Sequence, residues 1–178
     1  LASPAERARY VGQALARLLP SRALLTGRRV ALCLRAGNAL YDDVGQAGRF
    51  RFRFLRLALP AAARAPVPTS FDPQILTAPP HILAGLASDG PALPALRHLY
   101  YGAEPMGDAE RAWIADRLGV RPDPIYQATE GFLGASCRLG VLHLNEPDVA
   151  VELEPVPGTD RFRPIVTDFR RTTQPIVR

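Results

Sequence analysis

Strand-like and helix-like stretches alternate along this chain as far as residue 131, and that alternation restricts the fold more than any single motif does. Short apolar runs read as strands at 30–34, 74–78, 96–101 and 125–126, and an Arg/Phe run at about 49–57 adds another. Helical signals fall around them. Ser3-Pro4-Ala5-Glu6 forms a capping box with proline at the first helical position, and Val11, Ala14, Leu15, Leu18 and Leu19 follow at helical spacing until Pro20. Pro79-Pro80 opens a second helix running to about residue 87, and Asp108 is expected to cap a third that runs to Leu118 and ends at Gly119. A short helix is expected over 40–44, and 60–70 is a proline-punctuated connection. Such an alternation argues for an α/β fold, a mostly parallel sheet with helices on both faces. After Gly131 the helical signal stops, and 132–137, 141–144, 149–154 and 164–168 read as successive strands joined by Gly, Pro and Asp turns. The expected division is an α/β core over 1–131 and the first strands of a β-rich subdomain over 132–178.

Charge and composition then narrow the chemistry. The 22 basic residues are all arginine, against 17 acidic ones, for a net charge of +5. Without lysine, no Schiff base, P-loop lysine or other catalytic lysine is available in these residues. Residues 1–64 carry twelve arginines and three acids, +9, while 65–178 carry ten arginines and fourteen acids, −4. The densest basic feature is Arg49-Phe50-Arg51-Phe52-Arg53-Phe54. Period-two alternation puts the phenylalanines on one face of a strand and the arginines on the other. Interleaved Arg and Phe can stack single-stranded bases, but no nucleic-acid-binding signature accompanies them, so a half-buried strand with solvated arginines is the expectation. No apolar run reaches the roughly 18 residues that span a bilayer, and no signal peptide is evident at the start. Cys33 and Cys137 lack C-x-x-C spacing, which suggests reduced thiols and a cytoplasmic protein.

Metal centres are disfavoured because His81, His98 and His143 are scattered and no paired-cysteine spacing exists. The G-x-S-x-G and G-x-G-x-x-G turns are missing too. Two segments remain, each at the carboxyl end of an expected strand, where open α/β sheets bind ligands. They are Tyr100-Tyr101-Gly102-Ala103-Glu104-Pro105-Met106 and Tyr126-Gln127-Ala128-Thr129-Glu130-Gly131. Gly102 and Gly131 permit close approach of backbone to a ligand. Tyr126 offers a face for an aromatic base, Thr129 a hydroxyl for phosphate and Glu130 a hard oxygen ligand for Mg²⁺. On residue chemistry alone, a packed strand-end tyrosine and an ordinary Thr-Glu-Gly turn remain open as the alternative.

The second segment resembles the Y-G-x-T-E motif of the adenylate-forming superfamily, which includes acyl- and aryl-CoA synthetases, peptide-synthetase adenylation domains and luciferases. Ile165-Val166-Thr167-Asp168-Phe169, with Gln174-Pro175-Ile176-Val177-Arg178, is similar to the I-T-D-L…P-L-I-R stretch of the phenylacetate–CoA ligase branch. A sub-branch related to deazaflavin-coenzyme adenylyl synthetases and CapK-type proteins offers counterparts for 34–41, 78–83, 126–132 and 142–146, so the resemblance covers nearly the whole chain. It implies that Tyr126 lies beside adenine, Thr129 meets the α-phosphate and Glu130 holds Mg²⁺. Gly102, Ala103 and Glu104 would line the adenine pocket. Gln127 stands where the wider superfamily has glycine, a change that would reshape the acyl side of the pocket.

The resemblance also implies parts not found here. A Ser/Thr/Gly-rich phosphate loop would precede Leu1, a ribose-binding aspartate would follow Arg178, and a catalytic lysine would lie in a further C-terminal domain. Asp168 is therefore read as structural, and these 178 residues by themselves are expected to be inactive. The implied parent reaction joins a carboxylic acid, an aromatic one by preference, with MgATP to give an acyl-adenylate. Transfer to CoA or a carrier-protein thiol would follow, with CoA as a candidate co-substrate and a homodimer as a candidate assembly. The Phe-rich strand and Tyr41 could flank the acid, although core packing is the favoured role. Two alternatives stand beside this one: a family member that sequesters an aromatic acid or nucleotide without turnover, and a basic nucleic-acid-binding module.

Overall fold

A computed structural model of the protein describes residues 3–19, 28–34, 50–56, 71–128 and 131–171. In chain order the elements are α1 (Pro4–Leu18), β1 (Arg29–Leu34), β2 (Arg51–Arg56), β3 (Ile75–Thr77), α2 (Pro80–Asp89), β4 (His98–Tyr101), α3 (Asp108–Leu118), β5 (Pro122–Ala128), β6 (Gly131–Ser136), β7 (Leu142–Leu144), β8 (Val149–Pro155) and β9 (Phe162–Asp168). The expected helix at 40–44, the connection at 60–70, Tyr41, Thr129, Glu130 and the stretch 174–178 lie outside the described residues, as does the side chain of Phe54.

Local chemistry sets the helix ends. In α1 the Ser3 hydroxyl accepts from the Glu6 N–H at 3.2 Å, and the Glu6 carboxylate accepts from the Ser3 N–H at 2.7 Å. That satisfies two donors that would otherwise be orphaned in the first turn. Helix α2 starts at Pro79-Pro80, with Pro80 at a position whose N–H has no intrahelical partner anyway. In α3 the cap is Gly107 and not Asp108. Asp108 stands in the first turn with Glu110, where negative charge favours the positive end of the helix dipole. Gly119, at φ 69°, closes the helix in the left-handed conformation.

Seven strands form one sheet in the order β2-β1-β3-β4-β5-β6-β7, with β1 to β5 mutually parallel and β6 and β7 antiparallel. Helices cover both faces. Under α2 and α3 lie Ala31, Cys33, Leu76, Ala78, Leu99 and Tyr101, packed with Leu83, Ala87 and Ile114. Under α1 lie Val30, Ile75 and Tyr100, with Leu15, Leu18, Phe50, Phe52 and Ile125 around them. The order β2-β1-β3 reverses direction at β1/β3, the switch point of a doubly wound sheet.

The structure departs from the sequence-based expectation at two places. Strand β5 runs through Pro122 and Pro124, well beyond the expected 125–126. Both prolines precede the first rung of the β5–β6 ladder, Ile125↔Ala135, so neither removes a donor from it. Strands β6 and β7, expected to begin a separate β-rich unit, continue the large sheet, while β8 and β9 form their own antiparallel pair. Ala128 and Gly131 are register partners, and a two-residue connection between strands can only return the chain antiparallel beside itself.

Candidate functional site

The first motif-bearing segment and the start of the second lie at neighbouring parallel strand ends, β4 and β5, at the carboxyl end of the sheet. Tyr101 pairs with Pro124 on neighbouring parallel strands, so the next residue along, Gly102, comes up against Ile125. A Cβ at Gly102 would sit 3.2 Å from the Ile125 carbonyl oxygen and 3.4 Å from its Cγ1, so this glycine is what lets the two strand ends close on each other. Ala103 follows at φ 73°, a left-handed conformation that costs an L-residue roughly 1–2 kcal/mol. Non-glycine strain of this kind gathers at ligand sites. Glu104 is exposed and faces the start of α2, its Oε2 3.4 Å from His81 Nδ1. Tyr126 is half-buried, opposite Gly134. Between the pairs Tyr126↔Gly134 and Gln127↔Phe132, Leu133 is left without a partner, which makes a bulge beside the motif. The structure thus brings residues 102–104 and Tyr126 to one edge, with Ala128 and Gly131 flanking Thr129 and Glu130.

Gly131 is fixed from below. At φ 135° it occupies a region that L side chains rarely adopt, and a Cβ there would lie 3.0 Å from Tyr10 Cε1. Tyr10 is 5% exposed, and its hydroxyl donates to Asp168 Oδ2 at 3.0 Å. Arg9 Nη2 spans both Asp168 oxygens at 3.2 and 3.1 Å, and the Arg170 N–H donates to Oδ1 at 2.8 Å. Burial, then the Asp168 hydrogen bond, raises the Tyr10 pKa, so the phenol stays a donor at neutral pH. Asp168 therefore ties β9 to α1, as a structural reading of it requires. Tyr10 was the miss. Its spacing of four from Ala14 puts it on the same stripe of α1, and that was the available signal.

Between α1 and the sheet lies a cavity of about 80 Å³. Leu15, Leu18, Ile75, Tyr100 and Phe132 make its walls apolar, and Thr77, Gln127 and Tyr10 add polar groups. Thr77 ends β3 and Gln127 is the penultimate residue of β5, so the polar groups they supply sit at the motif-bearing end. The Tyr100 hydroxyl donates to the Leu18 carbonyl at 2.6 Å, which satisfies an orphan acceptor of the last turn of α1. Burial first, and the nearby Asp123 second, push the Tyr100 pKa well above its ordinary value. Phe52 also lines the cavity, and it stacks on Phe50 with ring centroids 6.0 Å apart. Arg51 and Arg53 are exposed, with Arg53 lying over Phe71. Phe50 and Phe52 thus turn inward toward α1, which favours the half-buried strand over a base-stacking platform.

Both cysteines are free. Cys33 is buried, and burial pushes its thiol up to about 12. Cys137 sits at the end of β6, where backbone N–H groups of Leu139 and Val141, then the His143 side chain, bring its thiol down to about 7. Among the described residues no three His, Cys, Asp or Glu side chains gather into a metal set, and no helix is long and apolar enough to cross a membrane.

No protein-family model matches the chain. No curated protein matches it either. Among solved structures it is similar to 2-hydroxyisobutyryl-CoA ligase in an open conformation, in complex with 2-HIB-AMP and CoA. The TM-score is 0.70 at 16% identity, over 98% of this chain and 43% of that one. At that identity the likeness is one of fold. The arrangement read from the sequence, a mostly parallel sheet with helices on both faces followed by strands of a β-subdomain, is the α/β arrangement found, with β8 and β9 as a separate antiparallel pair.

Proposed function

We propose that the chain is part of an adenylate-forming ligase that activates a carboxylic acid with ATP and passes the acyl group to a thiol, that of CoA or of a carrier protein. The observation that carries the reading is the closure of Gly102 on Ile125. It puts the turn that holds Ala103 against the residue before Tyr126, at the carboxyl end of a sheet whose fold matches part of a CoA ligase, and this supports the reading. Because the chain spans 43% of that ligase, the whole protein's activity, substrates and partners belong to the proposal. So does the finer placement in the branch of phenylacetate–CoA ligases, deazaflavin-coenzyme adenylyl synthetases and CapK-like proteins. A nucleotide-binding core followed by a β-rich part is proposed on the same resemblance, and a cytoplasmic setting on the two free thiols.

The roles follow from chemistry. The reaction is in-line attack of a carboxylate oxygen on the α-phosphorus, with pyrophosphate leaving, and it depends on positioning and charge neutralisation more than on proton transfer. Tyr126 and residues 102–104 would hold adenine, and Thr129 would donate to the α-phosphate. Glu130 would hold Mg²⁺, which supplies neutralisation of the developing phosphate charge. The apolar cavity beneath α1 would receive part of the hydrocarbon body of the acid, an aromatic one by preference, with the carboxylate leaving past Thr77 and Gln127. Glu130→Gln in the intact protein is expected to leave the fold in place and to lower carboxylate-dependent ATP–pyrophosphate exchange at least about tenfold, a loss of about 1.4 kcal/mol in transition-state stabilisation. Exchange at the wild-type rate would remove Glu130 from the site.

A further inference from the structure

Two latches tie the β8–β9 pair to the large sheet, and both reach β6 just after Thr129 and Glu130. In the first, Asp168 of β9 accepts from Arg9 and from the Tyr10 hydroxyl, and the Tyr10 ring lies under Gly131. In the second, Asn145 is 4% exposed, and its side chain donates to the Phe132 carbonyl at 3.3 Å and to Asp148 at 3.2 Å. Its backbone N–H reaches the Leu133 carbonyl at 2.8 Å. Asp148 continues to β9 through Arg170, 3.6 Å away, and through its carbonyl to the Phe169 N–H at 3.1 Å. The first latch differs in kind, because it bears on Gly131 through a ring face and not through a hydrogen bond of β6 itself. A ring held at its hydroxyl can transmit a displacement of β9 to the point where β6 begins.

We infer that Tyr10 is a positioning residue: its ring fixes Gly131, the exit of the segment carrying Thr129 and Glu130, and its hydroxyl makes that fixation depend on Asp168 of β9. What the segment does rests on the adenylate-forming reading; what Tyr10 touches does not. A displacement of β9 relative to the large sheet then reaches the start of β6 by two routes, the Tyr10 phenol at Gly131 and Asn145 at Phe132 and Leu133. Ordinary core packing would require only the ring. A hydroxyl aimed at a carboxylate already held by arginine adds registry between the two sheets.

The test uses the intact protein with Tyr10→Phe, Tyr10→Ala and Asp168→Asn. Hydrogen exchange is read for amides 131–135 and, as an internal reference, for α2 and α3. ATP affinity is measured with and without Mg²⁺. Tyr10→Phe keeps the ring, so it is expected to fold. It should speed exchange at 131–135 about fivefold, the effect of losing one ordinary hydrogen bond, with α2 and α3 unchanged. Asp168→Asn should do the same. The Mg²⁺-dependent gain in ATP affinity should shrink by a similar factor while metal-free affinity stays put, a split that general loosening would not produce. Unchanged exchange at 131–135 in both Tyr10→Phe and Asp168→Asn would overturn the inference even if Tyr10→Ala fails to fold. A wild-type protein that shows no Mg²⁺-dependent ATP binding would overturn the ligase reading instead, and the exchange data would still decide the role of Tyr10.

Discussion

Gly131→Ala places a methyl group where the structure has least room for one. Two costs can be separated. The backbone at φ 135° is close to glycine-only territory, and holding an L-residue there costs of order 1–3 kcal/mol. The new Cβ would also stand 3.0, 3.3 and 3.4 Å from three atoms of the Tyr10 ring. The ring would need to give by a few tenths of an ångström, but its hydroxyl is anchored on Asp168 at 3.0 Å, so relief comes at the expense of that bond, worth about 1 kcal/mol. Together these give about 2–4 kcal/mol. Urea titration followed by far-ultraviolet circular dichroism should show a lower midpoint at unchanged slope. The thermal midpoint should fall by roughly 6–12 °C for a loss near 3 kcal/mol in a chain of this size. A double-mutant cycle isolates the second cost. In a Tyr10→Phe background the ring is free to move, so Gly131→Ala should cost about 1 kcal/mol less than in the wild type. Additive effects would refute the anchored-ring argument, and a Gly131→Ala protein within about 0.5 kcal/mol of wild type would refute both costs together.

Further outcomes follow from side-chain environments. Cys137 should react with iodoacetamide with a midpoint near pH 7, because a thiolate held by two backbone N–H groups and His143 forms well below the ordinary thiol value. Its pKa is lowered on folding, so the stabilisation it supplies is present above the ordinary value and fades as pH falls through about 7. Cys33, buried and pushed up to about 12, should stay unreacted until the protein unfolds, and labelling of both at equal rates would contradict this. Phe52→Ala should destabilise by about 1–2 kcal/mol, less than for a fully buried phenylalanine because the ring is half-buried at a cavity wall. Exposed Arg51→Gln should cost under about 0.5 kcal/mol, and the opposite ranking of the two in urea melts would reverse the assignment of faces.

The helices and the parallel strands were readable in the sequence because their signals are local. The capping box of α1 needs only residues 3 and 6, and the left-handed stop of α3 only Gly119. The apolar signal of β5 covers only 125–126, because Pro122 and Pro124 carry no strand signal of their own. A proline's effect depends on whether its missing N–H faces a ladder, and here the ladder with β6 begins one residue after Pro124. The assignment of β6 and β7 to the large sheet was illegible for a related reason. Alternation of apolar and polar residues shows which face of a strand is buried, but not which strand lies beside it. The two residues between β5 and β6 show themselves only once the observed strand ends, Ala128 and Gly131, are known.

For the candidate site, legibility divided along the same line. Gly102 and Gly131 stood out as places of close approach, and the structure supplies a reason for each that involves no ligand. At Gly102 a side chain would meet the Ile125 carbonyl, and at Gly131 it would meet the Tyr10 ring. Gly134 belongs with them, since a Cβ there would come within 2.7 Å of the His143 carbonyl and hold β7 off the sheet. These three glycines let strand ends and α1 converge at one edge, and such convergence is what a shallow ligand site on an α/β sheet needs for its floor. Tyr10 escaped notice because its partners are Gly131 and Asp168, the latter 158 residues away, and no spacing rule spans that distance. The residues that hold Gly131 in place are thus set by tertiary contacts with no sequence period. If Tyr10 acts as argued, its conservative variant will change how the motif responds to Mg²⁺ before it changes whether the protein folds.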